Sequence, residues 1–130
     1  MSQATTSIKQ VGRVMVPVSD QDQAIGFYTE KLGFELRADI PFGDGDRWVE
    51  VGPPGAPTNI ALVTPRNEFQ PGANTNIALD TDDARATQTD LKQAGVDVDD
   101  DIMGDGNPVP PMFWFRDQDG NTLLVVESQD

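Results

Sequence analysis

The sequence contains no cysteine and no histidine. The first absence removes disulfides, thiolate catalysis and every cysteine-based metal site. The second removes the commonest metal ligand and the commonest general base, and with them any Ser-His triad on Ser19 or Ser128. A bound metal would need hard oxygen ligands, which suit Mg²⁺, Ca²⁺ or Mn²⁺. Cations are scarce: nine Lys and Arg face 22 Asp and Glu, a formal charge of -13. That balance opposes phosphate backbones and anionic membranes, so neither nucleic acid nor a membrane is an expected partner. The same charge would draw a cationic small molecule into a cleft. Long apolar runs are also missing, and none approaches the roughly 18 residues of a membrane span. Residues 1–10 are polar, without the apolar centre of an export signal, so the cytoplasm is the expected location.

What is present is a repeat within 130 residues, a length expected to form one domain spanning residues 1–130. Residues 11–18 read as a strand. Asp20, with Gln23 three residues on, opens a helix in which Phe27, Tyr28 and Leu32 fall on the core side and Gly33 marks the stop. Strands follow at 34–38, 47–51 and 59–63, separated by a loop at 41–46 and a Pro/Gly turn at 52–57. Residues 65–73 read as a linker. The order then recurs: a strand at 76–80, a helix from Asp83 through Leu91 to Gly95, a short strand at 96–98 and a loop at 103–107. Strands at 112–116 and 122–127 follow, joined by a hairpin at 117–121. Asp20 and Asp83, Gly33 and Gly95, and Gly43 and Gly104 keep a near-constant offset. Two copies of this length indicate duplicated half-domains, module one at about 11–64 and module two at about 74–128.

The first copy carries Val18-Ser19-Asp20, Phe27-Tyr28 and Lys31-Leu32-Gly33-Phe34, and the second ends in Phe115-Arg116-Asp117-Gln118-Asp119-Gly120-Asn121. In order and spacing these motifs resemble the vicinal oxygen chelate superfamily, which includes glyoxalase I, ring-cleaving dioxygenases and bleomycin-resistance proteins. The likeness spans residues 11–127. It implies an α+β fold of two tandem βαβββ modules, curled into a cup-shaped, partly closed mixed β-sheet with helices outside. It also implies a homodimer. In metal-dependent members the ligands come from the first and last strands of each module, positions held here by Arg13, Ala61, Asn76 and Leu124. Alanine and leucine have no donor, arginine is a permanent cation, and Asn76 offers one oxygen. A small shift in alignment brings in Asn59, Thr75 or Thr122, still without a histidine or carboxylate set. The expectation is no metal and no cofactor.

Side chains alternate along a strand. If Ala61 and Leu124 point into the cup, Trp48 is expected beside the first and Trp114 beside the second, at matching places in the two modules. Arg13, Met15, Glu50, Asn76 and Asp80 fall on the same parity, and Phe42 and Met103 come from the loops. Such an apolar, aromatic lining suits a flat organic ligand. Asp117-Gln118-Asp119-Gly120 is a hairpin turn rather than a calcium loop, because its glycine comes too early and no bidentate Glu follows. Gly43-Asp44-Gly45 lacks the Lys-Ser/Thr of a phosphate loop.

The function expected from these residues is metal-independent sequestration of a small molecule, either a cationic antibiotic or a polycyclic aromatic natural product. The alternative is a metal-independent isomerase or lyase acting on a carbonyl compound. There Glu50 or Asp80 would serve as general base if burial raised its pKa, and Arg13 would stabilise an oxyanion.

Overall fold

Period-two apolar patterning and well-marked helix starts build two four-stranded mixed sheets in the computed structural model, which describes residues 5–104 and 108–128. The first sheet holds β1 (Arg13–Pro17), β2 (Glu35–Phe42), β3 (Asp46–Gly52) and β4 (Asn59–Val63), in the order β1-β4-β3-β2. The second holds β5 (Asn74–Thr81), β6 (Asp97–Val98), β7 (Met112–Arg116) and β8 (Thr122–Glu127), in the order β5-β8-β7-β6. The β1/β4 and β5/β8 pairs are parallel and the others antiparallel. Neither sheet closes into a barrel, so the fold is the α+β, cup-like and partly open arrangement that the motifs imply.

α1 (Gln21–Gly26) begins where Asp20 accepts a hydrogen bond from the Gln23 amide at 3.0 Å. The spacing predicts one α-helix to Leu32, but the chain widens into a π-helical turn at Phe27–Lys31 before Gly33 reverses it at φ 77°. Tyr28 is fully buried in that turn, with the Phe27 ring edge-on at 5.4 Å. α2 (Ala84–Gln93) starts on Asp83, whose side chain accepts from the Ala86 amide, and stops ahead of Gly95. One continuous core joins the halves. Val16, Val49, Val51, Ile60 and Leu62 of the first sheet and Phe113, Phe115, Leu123 and Val125 of the second cluster with Tyr28, Ala84 and Leu91.

Three strands differ from expectation by two residues or more at one end. β1 is shorter than residues 11–18, and residues 11 and 12 lie outside it. β2 runs on to Phe42 rather than stopping at residue 38, because Ile40 pairs with Trp48 and Phe42 with Asp46, leaving a tight turn with Gly43 and Gly45 at positive φ. Pro41 is tolerated because β2 lies at the edge of the sheet. β5 begins at Asn74 and bulges. Asn74 lies opposite Thr122 and Ala78 opposite Leu124, and Asn76 takes up the slack at φ 60°. Of the loop expected at 103–107, Met103 bridges Met112, and residues 105–107 lie outside the described residues.

The β7–β8 hairpin fastens the two halves together. Asn121, 1% exposed, donates to the Pro17 carbonyl at 2.9 Å and to Asp117 at 3.0 Å, and accepts from the Gly72 amide at 2.8 Å. Tyr28 donates to Asp117 at 2.7 Å. Burial, and then the Asp117 carboxylate, push the phenol pKa well above its ordinary value, so Tyr28 stays a donor. Ser19 contacts Asp119 through its amide and its hydroxyl.

Candidate functional site

Alternation on β3 sends Val49 and Val51 into the core and turns Trp48 and Glu50 to the opposite, open face. Strand pairing adds neighbours to that face: Arg13 lies opposite Asn59, Met15 and Glu50 each lie opposite Ala61, and Ile40 lies opposite Trp48. Glu50 is at the centre and only 6% exposed. Its Oε2 accepts from Arg13 Nε at 3.0 Å and from Trp48 Nε1 at 2.5 Å, and its Oε1 accepts from Asn59 Nδ2 at 2.6 Å. The Asn59 amide is itself oriented by Arg37, whose Nη1 donates to Asn59 Oδ1 at 2.6 Å and to the Ala56 carbonyl at 2.7 Å. Arg37 Nη2 donates to the Pro53 carbonyl. Gly52 leaves room for this guanidinium, because a Cβ there would collide with it.

Two opposed effects act on the Glu50 carboxyl. Burial works to raise its pKa, but the hydrogen bonds from Trp48 and Asn59, together with the Arg13 charge, outweigh burial and hold it below the ordinary carboxylate range. The direction is opposite to the one a Glu50 general base would require. Glu50 is therefore a saturated counter-ion at neutral pH and a poor proton acceptor.

Sequence parity brings Arg13, Trp48 and Glu50 together, and it leaves out Arg37, whose place in the network depends on a β-bulge between Leu36 and Ala38. Met15, Phe42 and Trp48 line a cavity of about 320 Å³ with Arg47 and Arg66. Asn76 and Asp80 are exposed on β5 beside a second cavity, of about 520 Å³. Trp114 lies opposite Leu124 as expected, both half-buried, and Met103 is exposed and bridges Met112 on the strand that carries Trp114. The cavities that hold Met15, Trp48 or Asp80 are not lined by Trp114 or Leu124.

Two expectations about the tryptophans need correction. Ala61 lies opposite Glu50, not Trp48. Because Leu124 lies opposite Trp114, the counterpart of Trp114 in the first sheet is Glu50, and the counterpart of Trp48 is Met112. Strand register, not sequence offset, sets which residues correspond. The β5 bulge likewise makes Asn74, rather than Asn76, the counterpart of Arg13.

The glyoxalase/bleomycin resistance protein/dioxygenase superfamily model matches residues 10–125. The chain belongs to that superfamily. The chain is 35% identical over 127 residues to the uncharacterized protein YetH of Bacillus subtilis strain 168, covering 92% of this chain and 99% of YetH. It is similar to the crystal structure of TnmS3, an antibiotic binding protein from Streptomyces sp. CB03234, with TM-score 0.84, 36% identity and coverage of 96% and 100% of the two chains. A superfamily member from Sphaerobacter thermophilus DSM 20745 superposes with TM-score 0.87 at 34% identity, covering 95% and 100%. The likeness to TnmS3 supports small-molecule binding.

The donor set does not fit the divalent metal of the superfamily's metal-dependent members. Ala61 and Leu124 carry no donor, and Arg13 brings a positive charge into the position and ties up the nearest carboxylate. Among the described residues, no three acidic side chains gather to hold a cation.

Proposed function

We propose that the protein is a cytoplasmic, homodimeric binding protein that sequesters an aromatic natural product of antibiotic type, without a metal and without altering the compound. One observation carries this reading. Where chemistry would need a free base or a metal ligand, Glu50 is buried and saturated, and it serves instead to hold the Trp48 indole at an open, largely apolar face. A ring held by its own N–H has a fixed plane and loses little freedom when a flat ligand stacks on it. The likeness to an antibiotic binding protein points the same way.

A second copy would complete the site. Met15, Ile40 and Phe42 share the face of Trp48 and are 46%, 57% and 51% exposed, a contiguous apolar surface suited to burial. Trp114 and Leu124 do not meet that face within one chain. A twofold dimer would set the second sheet of one protomer over the first sheet of its partner.

The test is a tryptophan-fluorescence titration of metal-free protein with cationic and polycyclic aromatic antibiotics, followed by mass analysis of the recovered compound. Saturable quenching with the compound returned intact is expected. Trp48→Ala and Trp114→Ala should each weaken binding by about 1–3 kcal/mol. An altered compound, or unchanged affinity in both variants, sinks the reading. Sedimentation at micromolar concentration should give a dimer, and a monomer would remove the composite site.

A further inference from the structure

Arg13 is held at one end only. Its Nε donates to Glu50, its one ion-pair partner among the described residues, while no hydrogen bond engages Nη1 or Nη2 there. The burial follows the same division, since the Arg13 side chain is 49% exposed and that of Glu50 is 8% exposed. The Trp48 indole N–H contacts the same Glu50 oxygen as Arg13 Nε, so the ring edge and the guanidinium lie side by side. Glu50 has three donors and almost no exposed surface, and it has little left to offer a ligand cation. Around the adjoining cavity Arg47 is paired with Asp22 and Asp39. Arg66 has no ion pair among the described residues, and Asp46 is the one carboxylate in the lining. The charged groups free to meet a ligand near Trp48 are therefore the Arg13 fork, Arg66 and the Asp46 carboxylate, two cations to one anion.

We propose that Arg13 is the specificity-determining residue of this site. Its free two-nitrogen fork selects a planar aromatic ligand that carries an anionic or strongly accepting oxygen at its ring edge, such as a carboxylate or phenolate, over an isosteric cation. The proposal rests on the reading of this face as an aromatic-ligand site, and it runs against the preference that the net charge of -13 alone would set. The fork geometry suits a pair of coplanar acceptors, which Lys cannot match with a single ammonium. Glu50 acts as the positioning residue, holding Arg13 by Nε and Trp48 by its N–H so that fork and ring face the ligand together.

The test uses the full chain and three probes on one ring system: anthracene-9-carboxylate, 9-anthracenemethanol and 9-(aminomethyl)anthracene, titrated by calorimetry. The carboxylate should bind at least about tenfold more tightly than the amine. Arg13→Lys keeps a cation for Glu50 and removes the fork. It should abolish most of that preference and lower the alcohol's affinity far less than the carboxylate's. An amine that binds as tightly as the carboxylate overturns the proposal. So does an Arg13→Lys variant that loses all three probes equally, or one that changes only the oligomeric state, which would mean that the fork meets a partner chain. In those cases binding of the alcohol shows that the aromatic site itself stands. Binding of none of the three overturns the site reading and the proposal together.

Discussion

Glu50 is a carboxylate with 6% of its surface in water, so its neighbours decide which protonation state the fold prefers. Burial opposes ionisation, and the donors Trp48, Asn59 and Arg13 more than offset it. Because the pKa is lower in the folded chain than the ordinary 4.5, ionised Glu50 adds stability that is fully present above about pH 4.5. That stability is lost as the pH falls through the lower, folded value. Glu50→Gln turns an acceptor-only group into one that must aim an N–H₂ at donors, and should cost about 1–3 kcal/mol at pH 7. Urea midpoints of wild type and variant, measured from pH 3 to 7, should differ at neutral pH and converge below pH 4.5. A constant gap across that range would show that the Glu50 charge is not what the network stabilises. The sequence revealed the parity of Arg13, Trp48 and Glu50 but not their bonding. That Asn59 and Arg37 are part of the network depends on side-chain reach between strands, for Arg37 from a bulge in β2, which no residue pattern encodes.

The hairpin from Asp117 to Asn121 is a short element with a large structural task. Its turn is closed by Gly120, at φ 77°, and its last residue hydrogen-bonds to β1, the linker and Asp117 at once. Asn121→Ala would strand the buried Pro17 carbonyl and release the Gly72 amide, which solvent can reach. At about 1–3 kcal/mol for the one buried group, the loss should be roughly 1–3 kcal/mol and the Tm should fall by roughly 5–10 °C. A calorimetric scan showing a change of less than about 0.5 kcal/mol would mean that water replaces the amide. Elements of this kind are easy to locate from sequence, since Asp, Gly and Asn at fixed offsets mark a turn. The helix starts at Asp20 and Asp83 were legible for the same reason: a short acceptor before an amphipathic run has one main use. Register was not legible. The β5 bulge, with Asn76 at positive φ, inserts residues without disturbing the apolar alternation on either side, so counting by offset misassigned the counterpart of Arg13, while the β3–β4 register, which sets Glu50 opposite Ala61, displaced Trp48 from its expected partner.

Across the whole molecule, two electrostatic scales disagree. The chain carries 22 acids against nine cations, and its long-range field repels anions. The open face of the first sheet presents the free fork of Arg13 beside a neutralised Glu50, and contact there favours an anion. Composition alone pointed to a cationic ligand because it counts charges without asking which are already paired. The two effects separate with ionic strength, since the Debye length falls from about 30 Å at 0.01 M to about 8 Å at 0.15 M. Screening should weaken the repulsive field more than it weakens a contact hydrogen bond. In stopped-flow fluorescence the association rate of anthracene-9-carboxylate should therefore rise severalfold over that range, and its dissociation rate should change less. The association rate of 9-(aminomethyl)anthracene should fall as its attraction is screened. If the carboxylate instead associates more slowly as salt is added, the approach to the site is governed by a local positive potential that reaches into solvent, and the net charge has no part in ligand choice.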